Sequence, residues 1–277
     1  MTDGSLLAQE GEYLDPGFDP QTPHGDNLVN DFCRAEVAAW ESWANACGGR
    51  HGRDDALGLA WTDTGCPSLF GNPVHWSRPL DATQAGAAVA ATRAALAGTT
   101  GGPFLLYSAF PTPDLQRFGL GAVGHPPLMV RPAGGGPQDT NSLRVERVVD
   151  VERLRDFERT LIEAYPVVEL QPWVAGCLVG TPILDDDRWR LFVGYVDGIA
   201  VGTSAAYVSD EIVDVTLVSN RAEHRRRGYG EALTWAATLA DATKPAMLIA
   251  SDDGRAVYAR MGYLTLMRFT LWAGTRT

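Results

Sequence analysis

The chain has 277 residues, 45% of them hydrophobic, and a formal net charge of −11 at pH 7. That length holds two ordinary domains or one large one, and that composition supports buried cores. The acidic balance argues against general nucleic-acid binding, and no apolar run reaches the ~18 residues that a membrane-crossing helix needs. The first residues, MTDGSLLAQEGEYLDPGFDP, lack the basic start and apolar core of a signal peptide. Cys33, Cys47, Cys66 and Cys177 form neither a Cys-x-x-Cys pair nor a cluster with histidine, so reduced thiols, no metal and a cytoplasmic location are expected.

Residues 1–24 are acidic, contain Pro16, Pro20 and Pro23, and show no periodicity, which predicts an extended arm. Asp26 or Asn27 caps a helix running to Ala46, with Leu28, Phe32, Ala35, Ala39 and Trp43 on one face and Gly48-Gly49 ending it. Trp40 and Trp43 read as packing residues. Strands follow at Ala56–Trp61 and Asn72–Trp76, then an alanine-rich helix from Asp81 or Thr83 to Ala97. Phe104–Phe110 is a strand, Asp114–Phe118 a short helix, and Pro126–Val130 a strand closing the first half. Ala133-Gly134-Gly135-Gly136-Pro137-Gln138 is the best linker in the chain. The expected division is an arm (1–24), a first domain (25–132), a linker (133–140) and a second domain (141–277).

In the second half, Leu143–Val148 alternates like a strand. Asp150 then caps a helix that buries Leu154, Phe157, Leu161 and Ile162. Leu191–Val196 and Ala200–Val208 flank Asp197-Gly198, a hairpin turn. Glu211–Val218 is rich in β-branched residues and reads as a strand, and Glu231–Thr243 carries Leu233, Ala236, Ala237 and Ala240 on one helical face. Met247–Ala250 is a buried strand, and Leu264–Trp272 is a final strand or a strand pair. The order is β-α-β-β-β-α-β-α-β. The first half follows a worn version of the same order.

Between the Glu211 strand and the following helix lies Arg225-Arg226-Arg227-Gly228-Tyr229-Gly230. The first N–H groups of a helix have no partner within it, and the macrodipole adds positive charge there. Two glycines let an anion approach the backbone, and three arginines add charge beside it. A basic surface loop before a helix is the competing reading. Further on stands Ser251-Asp252-Asp253-Gly254-Arg255-Ala256-Val257-Tyr258-Ala259-Arg260-Met261-Gly262-Tyr263.

Arg-x-x-Gly-x-Gly between a strand and a helix resembles the pyrophosphate loop of the GNAT (GCN5-related) N-acetyltransferase superfamily, and the Ser251–Tyr263 stretch resembles that family's last motif. The resemblance covers about Leu143 to the C-terminus. It implies an α/β (α+β) fold of two tandem GNAT-like domains, the first degenerate, each a central mixed, mostly antiparallel sheet flanked by helices. It also implies an acetyl-CoA-dependent N-acetyltransferase that moves an acyl group to a primary amine of a small molecule or peptide. The alternative is a non-catalytic acyl-CoA-binding or protein-interaction module. Expected partners are acetyl-CoA and an amine, with no nucleic acid and no membrane, in a monomer or homodimer.

The same resemblance implies roles for particular residues. The backbone of Leu217 and Val218 would hold the pantetheine arm. Arg225, Arg226, Arg227, Gly228, Tyr229, Gly230 and Glu231 would hold the pyrophosphate. Ser251, where the family usually has asparagine, would cap the last helix, and Ala222 stands where a proline is common. Tyr258 would protonate or contact the leaving thiolate, since a phenol keeps its proton at neutral pH, with a packing residue on an amphipathic helix as the alternative. The base is open: Asp214 first, Glu211 second and Asp210 third, with an exposed strand carboxylate or a water relay as alternatives. Acceptor specificity points to Tyr165 through Asp187.

Overall fold

The computed structural model describes residues 27–98, 101–137, 143–165 and 167–276. The expected N-terminal arm and residues 138–140 of the expected linker lie outside them. In chain order the first half contains α1 (Leu28–Ala46), β1 (Arg50–Asp54), β2 (Leu59–Asp63), β3 (Pro73–Trp76), α2 (Ala85–Ala95), β4 (Phe104–Ser108), β5 (Gly121–Gly124) and β6 (Pro127–Arg131). The second half contains β7 (Arg144–Arg147), α3 (Val151–Ala164), β8 (Trp189–Val196), β9 (Ile199–Val208), β10 (Val213–Asn220), α4 (Tyr229–Thr238) and β11 (Ala246–Ile249). It ends with α5 (Asp252–Arg260), β12 (Leu264–Arg268) and β13 (Thr270–Gly274).

Two mixed sheets organise these elements. One has six strands in the order β1-β2-β3-β4-β13-β5, and the other has seven in the order β12-β6-β11-β10-β9-β8-β7. Each contains one parallel pair joined through a helix: β3 and β4 across α2, and β10 and β11 across α4. The other pairings are antiparallel, as the fold class requires. The halves exchange strands. β6, from the first half, lies between β11 and β12 of the second sheet. β13, from the second half, lies between β4 and β5 of the first. The strand expected at Pro126–Val130 to close the first half therefore lies inside the second sheet instead. Alternation of apolar residues marks a strand but does not say which sheet receives it.

Local chemistry explains the elements. Asn27 caps α1 by accepting the Asn30 N–H at 3.0 Å, and Asp150 caps α3 by accepting that of Arg153 at 2.8 Å. The Asp197-Gly198 turn has φ of +50° and +79°, the two left-handed residues of a tight hairpin turn. Asp81 accepts the N–H groups of Thr83 and Gln84, so α2 begins at Ala85 rather than at Asp81 or Thr83. Ser209 Oγ accepts from Glu211 and Ile212, which delays β10 to Val213. β1 and β5 carried no sequence signal. β1 is the polar run RHGRD at a sheet edge, and β5 is the glycine-flanked GAVG at the opposite edge.

α1 ties the halves together. It belongs to the first half in sequence, yet its Ala39 and Trp43 pack with Leu154, Trp189 and Tyr207 of the second. Trp43 is 1% exposed, meets Trp189 edge-on at 5.1 Å, and donates its Nε1–H to the Leu178 carbonyl at 2.9 Å. Burial of such a ring contributes on the order of 3 kcal/mol. α4 and α5 cover the opposite face of the second sheet, where Val213, Val215, Trp235, Leu248 and Met261 meet. The four cysteines are unpaired. Among the described residues no helix is long and apolar enough to cross a membrane.

Candidate functional site

β10 and β11 pair only at Val213 with Ala246 and at Asp214 with Met247, and beyond these residues the two parallel strands diverge. On its other side β10 bulges: its register with β9 shifts between Thr216 and Ser219, and Leu217 has φ of +52°. A leucine in the left-handed region costs about 1 kcal/mol. The Thr203 hydroxyl helps to hold it there by donating to the Leu217 carbonyl at 2.9 Å. The bulge takes the Leu217–Val218 backbone out of the regular ladder, leaving polar groups for another partner. The Val218 carbonyl now accepts a hydrogen bond from the Tyr165 hydroxyl at 3.0 Å.

The chain then turns into α4 through two left-handed residues, Arg226 at φ +62° and Gly228 at φ +79°. Gly228 is the residue before the first turn of α4, where the unpaired N–H groups of Tyr229, Gly230 and Glu231 begin. Gly230 leaves room for Asn220: a Cβ there would lie 2.8 Å from its Nδ2, and that amide would have to move. Tyr229 is buried and packs with Leu233 and Val201, anchoring the turn to the sheet. The arginines divide. Arg225 spends its guanidinium on the carbonyls of Asn220 at 3.4 Å and Ala164 at 3.3 Å, which braces the loop against α3. Arg226 and Arg227 are exposed at the helix start. Glu231 lies 4.0 Å from Arg260, linking α4 to α5.

Ser251 caps α5, its Oγ accepting the Gly254 N–H at 3.1 Å. Tyr258, on α5, packs edge-on against Tyr263 at 6.0 Å, with the Thr234 hydroxyl of α4 beside its phenol. Burial raises the Tyr258 pKa and the Thr234 hydroxyl lowers it, with burial the larger effect. The Tyr165 phenol lies within electrostatic reach of Tyr258, the two tyrosines coming from helices on opposite faces of the second sheet. Tyr165 stood in the sequence only as the start of an acceptor segment; a tyrosine at the end of α3, just before a proline, carries no pattern of its own.

Asp214 is 1% exposed, on the α1 face of the second sheet. It is therefore not the exposed strand carboxylate that the sequence allowed. Glu36 of α1 lies against it. No N–H or O–H donor of the described residues reaches Asp214 Oδ2, so the hydrogen bond open to the two carboxyls is a shared proton. Burial and then the Glu36 charge raise the Asp214 pKa well above the usual carboxylate range. Glu211 precedes β10 in a turn and Asp210 is exposed there, so neither joins this pair. Sequence reasoning missed Glu36, together with its neighbours His75 and Tyr107. They come from the first half, and only the tertiary fold brings them to Asp214.

No family model matches this sequence, and no curated protein matches it. Solved structures do. A GCN5-related N-acetyltransferase from Kribbella flavida is similar over 86% of this chain and 95% of that one, with 18% identity and a TM-score of 0.59. A functionally unknown conserved protein from Staphylococcus epidermidis is similar over 82% and 94%, with 15% identity and a TM-score of 0.56. Coverage of that breadth takes in residues of both sheets. The chain thus has the fold of the GCN5-related N-acetyltransferase superfamily.

Proposed function

We propose that this protein is an acetyl-CoA-dependent N-acetyltransferase acting on a primary amine in the cytoplasm. The observation that carries this is the alignment of two backbone features on one strand-turn-helix. These are the Leu217 bulge beside the diverging β10 and β11, and the left-handed Gly228 at the start of α4. The bulge offers polar backbone to an amide-bearing arm. The α4 N-terminus offers unpaired N–H groups to a pyrophosphate, with Arg226 and Arg227 adding charge. Gly228 gives the turn its left-handed residue, and Gly230 leaves room for Asn220 beside it. These residues fit acetyl-CoA, which supplies the thioester when bound.

The chain's own residues then have four tasks. The α4 N-terminus and the exposed arginines bind phosphate. The Leu217–Val218 backbone orients the arm along β10. The carboxyl pair Asp214–Glu36 takes up the proton that an ammonium must lose before its nitrogen can attack. Tyr258 gives a proton to the departing thiolate, and its raised pKa keeps that proton available at neutral pH.

The test is calorimetric titration of acetyl-CoA into the full chain and into Gly228→Asp. Binding that the variant loses supports the reading, and no binding in either protein overturns it. A non-catalytic acyl-CoA-binding protein would bind in the same way yet acetylate no amine in a screen.

A further inference from the structure

A buried base has a difficulty that a surface base does not. Once it has taken a proton it must return that proton to solvent before the next turnover. Asp214 is 1% exposed and Glu36 is 6% exposed, so while an acceptor or its product occupies the approach to Asp214 neither carboxyl meets bulk water.

A route leads away from them into the first half of the chain. Glu36 Oε1 accepts the Trp40 indole N–H at 2.9 Å, which fixes its carboxyl. The same oxygen lies 4.0 Å from His75 Nε2 on β3. His75 is 6% exposed, and its Nε2 has no hydrogen-bond partner. The parallel register of β3 with β4 sets His75 beside Tyr107, and their rings stack at 5.2 Å and 17°. On the other side His75 and Tyr107 line a cavity of about 280 Å³ with Cys33, Val37 and Phe269. Asp214, Glu36, His75 and the cavity thus lie in series from the second sheet to the first, with a 4.0 Å step between Glu36 and His75.

We propose that Glu36 and His75 are positioning residues that carry the proton taken up at Asp214 out to solvent through this cavity. The inference rests on the acetyltransferase reading above. The steps balance. An ammonium N–H bond breaks, leaving the amine its lone pair, and an O–H bond forms on the Asp214–Glu36 pair, which then holds two protons. Glu36 passes one to His75 Nε2, and the imidazolium releases a proton to water. The 4.0 Å gap must shorten by about 1 Å to reach hydrogen-bond length, a movement within side-chain rotation.

Charges around the ring suit the role. Burial lowers the His75 pKa, while Glu36 and Glu41 raise it, so the resting ring is neutral and can accept. Tyr107 remains protonated: burial, Glu36, Tyr165 and Asp214 all raise its pKa. Its stacked ring holds the imidazole without competing for the proton.

The experiment uses the full-length protein. Acetyl-CoA affinity is measured by calorimetry, and turnover is measured with ethylamine as the probe acceptor. For His75→Ala, kcat is expected to fall at least fivefold with acetyl-CoA affinity unchanged, and added imidazole is expected to restore part of it. In ¹⁵N-histidine spectra, His75 is expected to titrate at lower pH in Glu36→Gln, where the neighbouring negative charge is gone. That readout stands even if ethylamine is a poor acceptor. Unchanged kcat in His75→Ala, lost activity that imidazole does not restore, or a His75 titration indifferent to Glu36→Gln overturns the path. Failure of the wild type to bind acetyl-CoA overturns the acetyltransferase reading itself, and the path with it.

Discussion

The Tyr165 hydroxyl, at the end of α3, donates to the Val218 carbonyl of β10 at 3.0 Å. This bond fills an acceptor that the bulge at Leu217 has taken out of the regular ladder. An amide-bearing ligand laid along β10 must displace it or make do with the remaining backbone groups. Tyr165→Phe removes the competitor, and a neutral hydrogen bond contributes about 1 kcal/mol. Acetyl-CoA affinity is therefore expected to rise up to about fivefold, as read by calorimetry. A weaker affinity would mean that the phenol helps to hold the ligand.

Gly228 at φ +79° leads α4. Gly228→Asp places a carboxylate among unpaired N–H groups, where it mimics and repels a phosphate. Acetyl-CoA affinity is expected to fall at least tenfold, about 1.4 kcal/mol. Gly228→Asn tolerates the same left-handed backbone without the charge, so it separates repulsion from strain. Equal losses in the two variants would point to backbone strain alone.

Tyr258→Phe removes a proton donor and keeps the ring against Tyr263. Turnover is expected to drop at least tenfold with acetyl-CoA affinity within a factor of about two, in the range expected for one acid catalyst. Because burial raises the phenol's pKa, the wild-type rate should not decline from loss of this proton until the pH passes the ordinary tyrosine range near ~10. An alkaline limb in the wild type that persists unchanged in Tyr258→Phe would assign that limb to another group.

Asp214 makes stability depend on pH. An unfolded aspartate ionises near ~4, whereas the buried Asp214 keeps its proton to higher pH. In the interval between, the folded state binds more protons, so this group's contribution to stability falls as the pH rises from about 4. Asp214→Asn removes the dependence. Its melting temperature relative to wild type is expected to be more favourable at pH 8 than at pH 5. His75 has the opposite slope below about 6.5, since its folded pKa is lowered, but it is present in both proteins. An equal difference at both pH values would show that Asp214 ionises normally.

A fragment of residues 133–277 lacks β6, through which β12 is joined to the rest of the second sheet. It also leaves the Trp189 and Tyr207 surface without α1. Circular dichroism and amide exchange are expected to show a fragment without cooperative folding, while the full chain melts as one unit. A stable, exchange-protected fragment would mean that the exchanged strand is dispensable.

The parts of the fold that were legible are those written in local chemistry. Asn27 and Asp150 as caps, Asp197-Gly198 as a turn, and the apolar faces of α1 and α3 depend on neighbours within a few residues. The strand Pro127–Arg131 was also legible as a strand, but its destination was not, because partner choice depends on which edges other segments leave open. At the candidate site the glycine turn into α4 was legible from the residues, and Ser251 as a helix cap from the family resemblance. Arg225 shows the limit: its charge suggested phosphate, and spacing gave no sign that its guanidinium also reaches the carbonyls of Asn220 and Ala164. Glu36 and His75 could not be found from motifs. A glutamate on a helix and a histidine in a short strand gain meaning only when 178 residues of separation between Glu36 and Asp214 are folded away.

The exchange of β6 and β13 has a consequence for how the protein is made. β13 ends at Gly274, and it sits between β4 and β5 in the first sheet. A ribosome that has translated all of the first half has therefore not yet produced the strand its sheet requires, which follows the end of β4 at Ser108 by more than 160 residues. Neither half can mature during synthesis and hand a finished neighbour to the other. Until the last strand emerges, the facing edges of β4 and β5 stand open to any extended chain, and the nascent protein depends on chaperones or on speed to keep that place for its own C-terminal segment.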